Sequence, residues 1–185
     1  MKLFFSVVAI LFVSVGALAQ EGSSTSKLEK EFSSEGMRVS VLFPMIVNQI
    51  ESRKNKTEDV SSIGLGVGYA SLPLMRLGWT SNLSYIQSKF SDSEINALRL
   101  DGNLAFAFHP SFNVKGGINY TKFMSEGIED SGPRQGFQAS LGYQLTKNFS
   151  ADIGYVSMRG TGEASDNQGR QYFQSGTEVA LSGTF

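Results

Sequence analysis

The chain has 185 residues, with 16 basic and 17 acidic side chains and a formal net charge of −1. This near-balance argues against a nucleic-acid binder, which needs a basic surface. The sequence contains no cysteine, so the protein is neither a lipoprotein nor a disulfide framework. Glycine (20 residues) and phenylalanine (14) are frequent and charged residues make up only 18%, a composition that favours apolar strands with small residues between.

The first 19 residues have the pattern of a signal peptide. Lys2 provides the positive charge, an apolar core follows over residues 3–15, and Ala17-Leu18-Ala19 is a small-x-small cleavage pattern. The apolar core is shorter than the roughly 20 residues of a membrane-spanning helix. We therefore predict export with cleavage after Ala19, followed by a flexible periplasmic lead-in over residues 20–36, which are rich in Ser, Glu and Lys.

From residue 37 onward, apolar residues alternate with small or polar ones, the period of two that is typical of β-strands. The predicted strands are 37–47, 63–71, 76–87, 95–108, 112–121, 137–145, 149–156 and 177–185. Short turns alternate with longer polar loops, predicted at 48–62, 89–93, 124–135 and 160–171. This alternation, with an even strand count, is typical of outer-membrane barrels. The sequence predicts an all-β domain over 37–185, an eight-stranded antiparallel up-and-down transmembrane β-barrel.

The residues that alternate with the apolar ones indicate which face meets lipid. They are mostly Gly, Ala, Ser, Thr, Asn and Gln, with few charges in mid-strand. The water-facing wall of a soluble barrel would carry many Lys and Glu instead. We therefore predict an apolar outer face and a polar lumen. Aromatic residues are predicted in two belts: Phe108, Phe112, Phe149 and Phe185 at the short-turn end, and Tyr85, Tyr120, Phe137 and Tyr155 at the loop end.

The last predicted strand places Val179, Leu181 and Phe185 on its apolar face. Taken alone, it suits either an edge strand of a soluble β-sandwich or a strand of a membrane barrel. An aromatic residue in the last position resembles the C-terminal strand of outer-membrane β-barrel proteins. The resemblance implies that these three residues form a signal for the barrel-assembly machinery.

The segments HPSFNVKGGINY and GYQLTKNFSADIGY are the clearest parts of a meander that runs from Phe106 to Phe185. This meander resembles the small outer-membrane β-barrel domain family, which includes the OmpA barrel and the OmpX and opacity-type proteins. The resemblance implies a bacterial outer-membrane location with contacts to outer-membrane lipid and lipopolysaccharide. With an export signal and a periplasmic lead-in, both termini are expected in the periplasm. Pro44 departs from the pattern, because proline removes a ladder hydrogen bond.

Six charged residues share the inward parity, namely Arg38, Arg99, Asp101, Lys115, Asp152 and Glu178. Counting from the short turns predicts two levels in the lumen. Lys115 and Asp152 lie near Arg38 at one level, and the other three residues lie at a deeper level. Each level contains both signs, and buried charges persist only when they are paired. The structural interpretation is a plug of salt bridges, and the functional alternative is a gated or selective pathway.

Catalytic and ligand-binding patterns are scarce. His109 precedes Pro110 in a short turn, which suits an interface residue better than a hydrolase. The glycines of Gly64-x-Gly-x-Gly68 lack the strand-to-helix context of a phosphate loop, and Asp166-Asn167-x-Gly169 lacks the spacing of a calcium loop. We therefore expect no enzymatic activity, no cofactor, no metal and no nucleic-acid partner.

The sequence predicts a structural or surface-interaction role through the extracellular loops, and it does not specify the external ligand. One alternative is a narrow transporter of small hydrophobic molecules that resembles the OmpW-type barrels. A weaker one is a lipid-modifying enzyme. An apolar lumen would favour the transporter, whereas the predicted lumen is polar.

Overall fold

The computed structural model describes residues 34–45, 47–51, 54–58, 61–72, 77–89, 94–124, 128–129, 133–157, 164–166, 170–173 and 175–185. The predicted signal peptide and most of the predicted lead-in lie outside these residues. Among the described residues, no helix is long and apolar enough to cross a membrane.

The described residues form strands β1 (Ser34–Pro44), β2 (Val47–Glu51), β3 (Lys54–Glu58), β4 (Ser61–Leu72), β5 (Leu77–Lys89), β6 (Glu94–His109), β7 (Phe112–Phe123), β8 (Ile128–Glu129), β9 (Arg134–Gln144), β10 (Phe149–Ser157), β11 (Ala164–Asp166), β12 (Arg170–Phe173) and β13 (Ser175–Thr184). Eight of them close into a barrel in the order β1-β13-β10-β9-β7-β6-β5-β4, with every neighbouring pair antiparallel. Barrel strands that follow one another in the chain are neighbours, and β1 closes onto β13. The predicted fold class is therefore confirmed.

The other five strands form a second sheet in the order β3-β2-β12-β11-β8, which we call the loop sheet. Its strands come from the connections β1–β4, β7–β9 and β10–β13, all at one end of the barrel, the loop end. We call the opposite end, with the short connections β6–β7 and β9–β10, the turn end. The prediction of loops over 48–62, 124–135 and 160–171 was therefore wrong in part. These segments lack apolar alternation, and they become strands by pairing with each other, as β2 does with β12.

The first strand also differs from its prediction at both ends. β1 begins at Ser34, inside the predicted lead-in, and ends at Pro44, whereas Val47 belongs to β2 of the loop sheet. Pro44 is tolerated because the β1–β4 register ends at Leu42 opposite Gly64, so the missing N–H interrupts no ladder on that side. The ladder with β13 continues past Pro44, since the Met45 N–H donates to the Thr177 carbonyl over 2.8 Å.

The alternation of faces in the barrel agrees with the prediction. Apolar side chains such as Leu65 (60% exposed), Leu104 (61%) and Ile153 (55%) cover the outside, whereas inward residues such as Ser84 and Asn119 are fully buried. Such an outer surface requires an apolar surrounding, because monomeric soluble proteins rarely expose large contiguous apolar patches.

Aromatic pairs lie near both ends of the barrel. At the turn end the rings of Phe108 and Phe112 are 6.3 Å apart and those of Phe149 and Phe185 are 6.4 Å apart. At the loop end the rings of Phe137 and Tyr155 are 6.5 Å apart. This arrangement matches the two interfacial belts of a membrane barrel.

The barrel closes where the last residue of the chain meets β1. The backbone N–H of Phe185 donates to the Met37 carbonyl over 2.8 Å, and the Met37 N–H donates to the Phe185 carbonyl over 3.0 Å. Gly36 beside this pair has a φ of 148°, and a Cβ added there would collide with the Phe185 carbonyl oxygen. The seam therefore requires glycine at position 36, because only glycine adopts this φ readily and leaves the space free.

We predict that Gly36→Ala sharply lowers the amount of folded barrel, because the new methyl group displaces Phe185 from the seam. Deleting Phe185 should cause a similar loss from the other side of the same pairing. Gly102→Ala is the matched control, since a Cβ at Gly102 meets no atom within 4 Å. The fraction of protein with a heat-modifiable band on an unboiled gel measures folding. Equal folding of Gly36→Ala and Gly102→Ala would contradict the proposed role of the seam.

Candidate functional site in the barrel lumen

The lumen is the place where the charged residues of the barrel meet. All six residues predicted to point inward lie on barrel strands, and five of them are buried, with Glu178 half-buried. They reach the lumen because each occupies the inward parity of its strand. Their side chains form two separate ion-pair groups, each with three members.

The first group is centred on Asp152 of β10. Arg38 Nη2 lies 2.7 Å from Asp152 Oδ2, and Lys115 Nζ lies 2.5 Å from Asp152 Oδ1. Arg38 Nη2 also donates to Ser182 Oγ over 2.7 Å. One carboxylate thus binds two cations from β1 and β7, and we call these three residues the Asp152 triad. Its formal charge is +1.

The second group is centred on Arg99 of β6. Its two terminal nitrogens donate to the two oxygens of Glu178, each over 2.7 Å. Arg99 Nε lies 3.0 Å from Asp101 Oδ1. One guanidinium thus binds two carboxylates, and a bidentate pair of this kind is among the stronger charge-assisted contacts. We call these residues the Arg99 triad, and its formal charge is −1.

The two triads are adjacent in the barrel. Asp152 lies opposite Ala180, and Gly154 lies opposite Glu178, so Asp152 and Glu178 are diagonal neighbours on paired strands. A cavity of about 70 Å³ is lined by members of both triads and by polar residues that include Ser40, Thr80, Asn82, Asn103, Gln138 and Ser140. The middle of the lumen is therefore a neutral assembly of three cations and three anions around a small polar space.

The sequence reasoning missed one buried cation, Arg134. It is 3% exposed, and its guanidinium carbon lies 5.4 Å from the centre of the Phe123 ring. Arg134 was assigned to the loop 124–135, whereas it begins β9 and lies opposite Thr121. Extending the alternation of strand 137–145 backward would have placed it on the inward parity.

The arrangement offers little for catalysis or metal binding. Within the described ranges, no group of three or more His, Cys, Asp or Glu side chains is placed to hold a metal ion. His109 is the last residue of β6, next to the β6–β7 turn, and its Nδ1 accepts from the Ser111 N–H over 3.1 Å. The pairing of the lumen charges with each other makes this site a packed electrostatic network.

Comparisons with known proteins concern the fold alone. No family model and no curated protein matches the chain. Among solved structures, the attachment invasion locus protein Ail of Yersinia pestis has a TM-score of 0.52 at 14% identity, covering 82% of this chain and 97% of that chain. The fold is that of a small outer-membrane β-barrel.

Two further structures belong to the same class. The outer membrane protein OprG from Pseudomonas aeruginosa has a TM-score of 0.45 at 12% identity, covering 84% of this chain and 92% of that chain. Neisserial surface protein A has a TM-score of 0.46 at 12% identity, covering 80% and 96%.

Proposed function

We propose that this chain is a non-enzymatic protein of the bacterial outer membrane, related to the OmpA-barrel, OmpX and opacity-type proteins, that acts through surface interaction at its loop end. In this proposal the barrel is an anchor whose termini are periplasmic and whose belt contacts outer-membrane lipid and lipopolysaccharide. The barrel-assembly machinery would recognise Val179, Leu181 and Phe185 during insertion.

The loop sheet is the observation that carries the interaction role. Three connections of the barrel pair into one five-stranded sheet in which β3 and β8 are the outer strands. β3 pairs with β2 on one side, and no described strand pairs with its other side. A free strand edge presents backbone donors and acceptors to an incoming extended segment. We propose that an extended peptide segment of an external protein adds to the edge of β3.

The residues of the lumen support the transporter alternative less well than the surface-interaction role. A path for small hydrophobic molecules would need apolar walls, whereas the middle of this lumen carries two ion-pair triads and several uncharged polar residues around the cavity. The lipid-modifying enzyme is likewise disfavoured, since the histidine of the chain, His109, ends β6 at the turn end, away from the loop end.

The interaction role can be tested with a random peptide library displayed on phage and selected against the protein in lipid nanodiscs. Replacing residues 47–58 by a two-residue turn removes β2 and β3. We expect selected peptides to lose binding to this variant, while its barrel still gives the heat-modifiable band.

The control variant shortens the connection 90–93, which lies outside the three connections that supply the loop sheet. It should bind the selected peptides like the unchanged protein. Equal binding by the variant that lacks 47–58 would disprove the role of β3. Fractionation of cell membranes tests the outer-membrane location separately.

A further inference from the structure

A carboxylate and two aromatic rings meet on the outer face of the barrel at the turn end. The Tyr69 hydroxyl donates to Glu35 Oε1 over 3.3 Å, and the rings of Tyr69 and Trp79 stack with their centres 5.3 Å apart. The three residues come from the neighbouring strands β1, β4 and β5. We call Glu35, Tyr69 and Trp79 the turn-end cluster.

The register of the three strands brings the cluster together. Glu35 lies opposite Ser71 of β4, Ser71 lies opposite Trp79 of β5, and Tyr69 is two residues from Ser71 on the same face. Such diagonal neighbours are within reach of aromatic side chains. Glu35 and Trp79 are both exposed on the outward parity of their strands. The cluster therefore faces the surroundings of the barrel and not its lumen.

The depth of the cluster corresponds to the head groups of a bilayer. Glu35 is the second residue of β1, Trp79 is the third of β5, and Tyr69 lies three residues before the end of β4. Phe185 of the turn-end belt bonds to Met37, the next outward residue of β1 after Glu35. Tyrosine and tryptophan in membrane barrels concentrate at the interface with water. The Glu35 carboxylate thus lies where the apolar belt gives way to polar head groups.

The Glu35 carboxylate has no cation beside it in the described part of the chain. Its hydrogen bond from Tyr69 is its one side-chain contact there, and the ion pairs between described residues all lie in the lumen. The register of β13 with β1 begins at Arg38 and Thr184, so no described strand lies beside Glu35 on that side. Because a carboxylate has about four acceptor positions, Glu35 can bind a further donor from the membrane.

We propose that the turn-end cluster binds the primary ammonium headgroup of a phospholipid in the adjacent leaflet. The carboxylate of Glu35 accepts charge-assisted hydrogen bonds from the ammonium, and the faces of Tyr69 and Trp79 attract the same cation. A headgroup with hydroxyls and no cation would instead bring its phosphate toward an unpaired carboxylate. The site requires the barrel to lie in a bilayer, as the proposed function does, but it does not depend on the loop sheet.

The proposal can be tested by native mass spectrometry of the barrel released from nanodiscs. The nanodiscs contain equal amounts of phosphatidylethanolamine and phosphatidylglycerol with the same acyl chains. The unchanged protein should retain about two- to fivefold more of the ethanolamine lipid, the range expected for a cation–π contact at an exposed site. Glu35→Gln should abolish this preference, and Tyr69→Leu should weaken it because the ring is lost.

Glu94→Gln is the matched control, because it removes the same charge at the loop end. Glu94 is also exposed, accepts from Gln87 over 2.6 Å and lies opposite Lys89. This variant should keep the preference of the unchanged protein. The heat-modifiable band confirms that each variant is folded. The absence of a preference in the unchanged protein, or an equal loss in Glu35→Gln and Glu94→Gln, would overturn the proposal.

The contact itself is tested by solid-state NMR in bilayers with 15N-labelled ethanolamine head groups and 13C-labelled glutamate in the protein. We expect dipolar coupling from the lipid nitrogen to a carboxylate carbon that disappears in Glu35→Gln and persists in Glu94→Gln. Coupling that persists in Glu35→Gln would contradict the site. Excess soluble phosphoethanolamine should leave the coupling in place, because the acyl chains hold the lipid at the barrel. Loss of the coupling would overturn the assignment to a lipid.

Discussion

Leu141→Lys is expected to destabilise the barrel by about 2–4 kcal/mol, the cost of a cation on the lipid face near mid-bilayer. Leu141 points outward with 45% of its surface exposed, between Phe137 of the loop-end belt and Tyr143, which pairs with Phe112 at the turn end. Lysine at this position cannot reach water without distorting the bilayer. We therefore expect a lower free energy of unfolding in liposomes and less protein in the outer membrane.

Gln138→Lys is the matched control on the same strand. Gln138 points inward, donates to Asn103 Oδ1 over 2.8 Å, and lines the same cavity as Asp101 and Glu178. A lysine there would add a positive charge beside the Arg99 triad, whose formal charge is −1. We expect a smaller loss than for Leu141→Lys. If Gln138→Lys were the more damaging change, the assignment of lipid-facing and lumen-facing residues would be wrong.

The inside and outside of this barrel could be predicted from the sequence because strand side chains alternate strictly. Short turns also indicate depth, because they mark where each strand begins, although the register of β6 against β7 shifts between Phe106 and His109 beside the turn. Counting from the turns therefore grouped Arg38, Lys115 and Asp152 at one level and Arg99, Asp101 and Glu178 at another. The ion pairs join these same two sets.

The centres of the triads could not be predicted in this way. Whether Asp152 or Arg38 binds two partners depends on the rotamers of long side chains across the barrel, which alternation does not determine. The loop sheet was missed for a different reason. Its segments are polar, and their strands depend on partners far away in the chain, such as Gln49 with Tyr172. The order of apolar and polar residues within one segment does not indicate such pairing with a distant segment.

The two triads carry opposite formal charges. Replacing one aspartate by asparagine should therefore lower the free energy of unfolding by a different amount in each triad. Asp152→Asn leaves Arg38 and Lys115 side by side with no anion in their triad. Breaking a buried ion pair by removing one partner costs about 3–5 kcal/mol, because an uncompensated charge remains buried. We expect Asp152→Asn to lower the free energy of unfolding by this amount, measured by urea titration of the barrel in liposomes.

Asp101→Asn is the matched control, because Asp101 and Asp152 are both buried carboxylates at 4% and 6% exposure. Removing the charge of Asp101 leaves Arg99 bound to Glu178 by two hydrogen bonds of 2.7 Å, a neutral pair. The loss should then be close to that of one hydrogen bond, about 0.5–1.5 kcal/mol. Equal losses for the two variants would mean that the charges of both triads are balanced across the lumen as one network. A larger loss for Asp101→Asn would contradict the assignment of Asp152 as the shared anion of its triad.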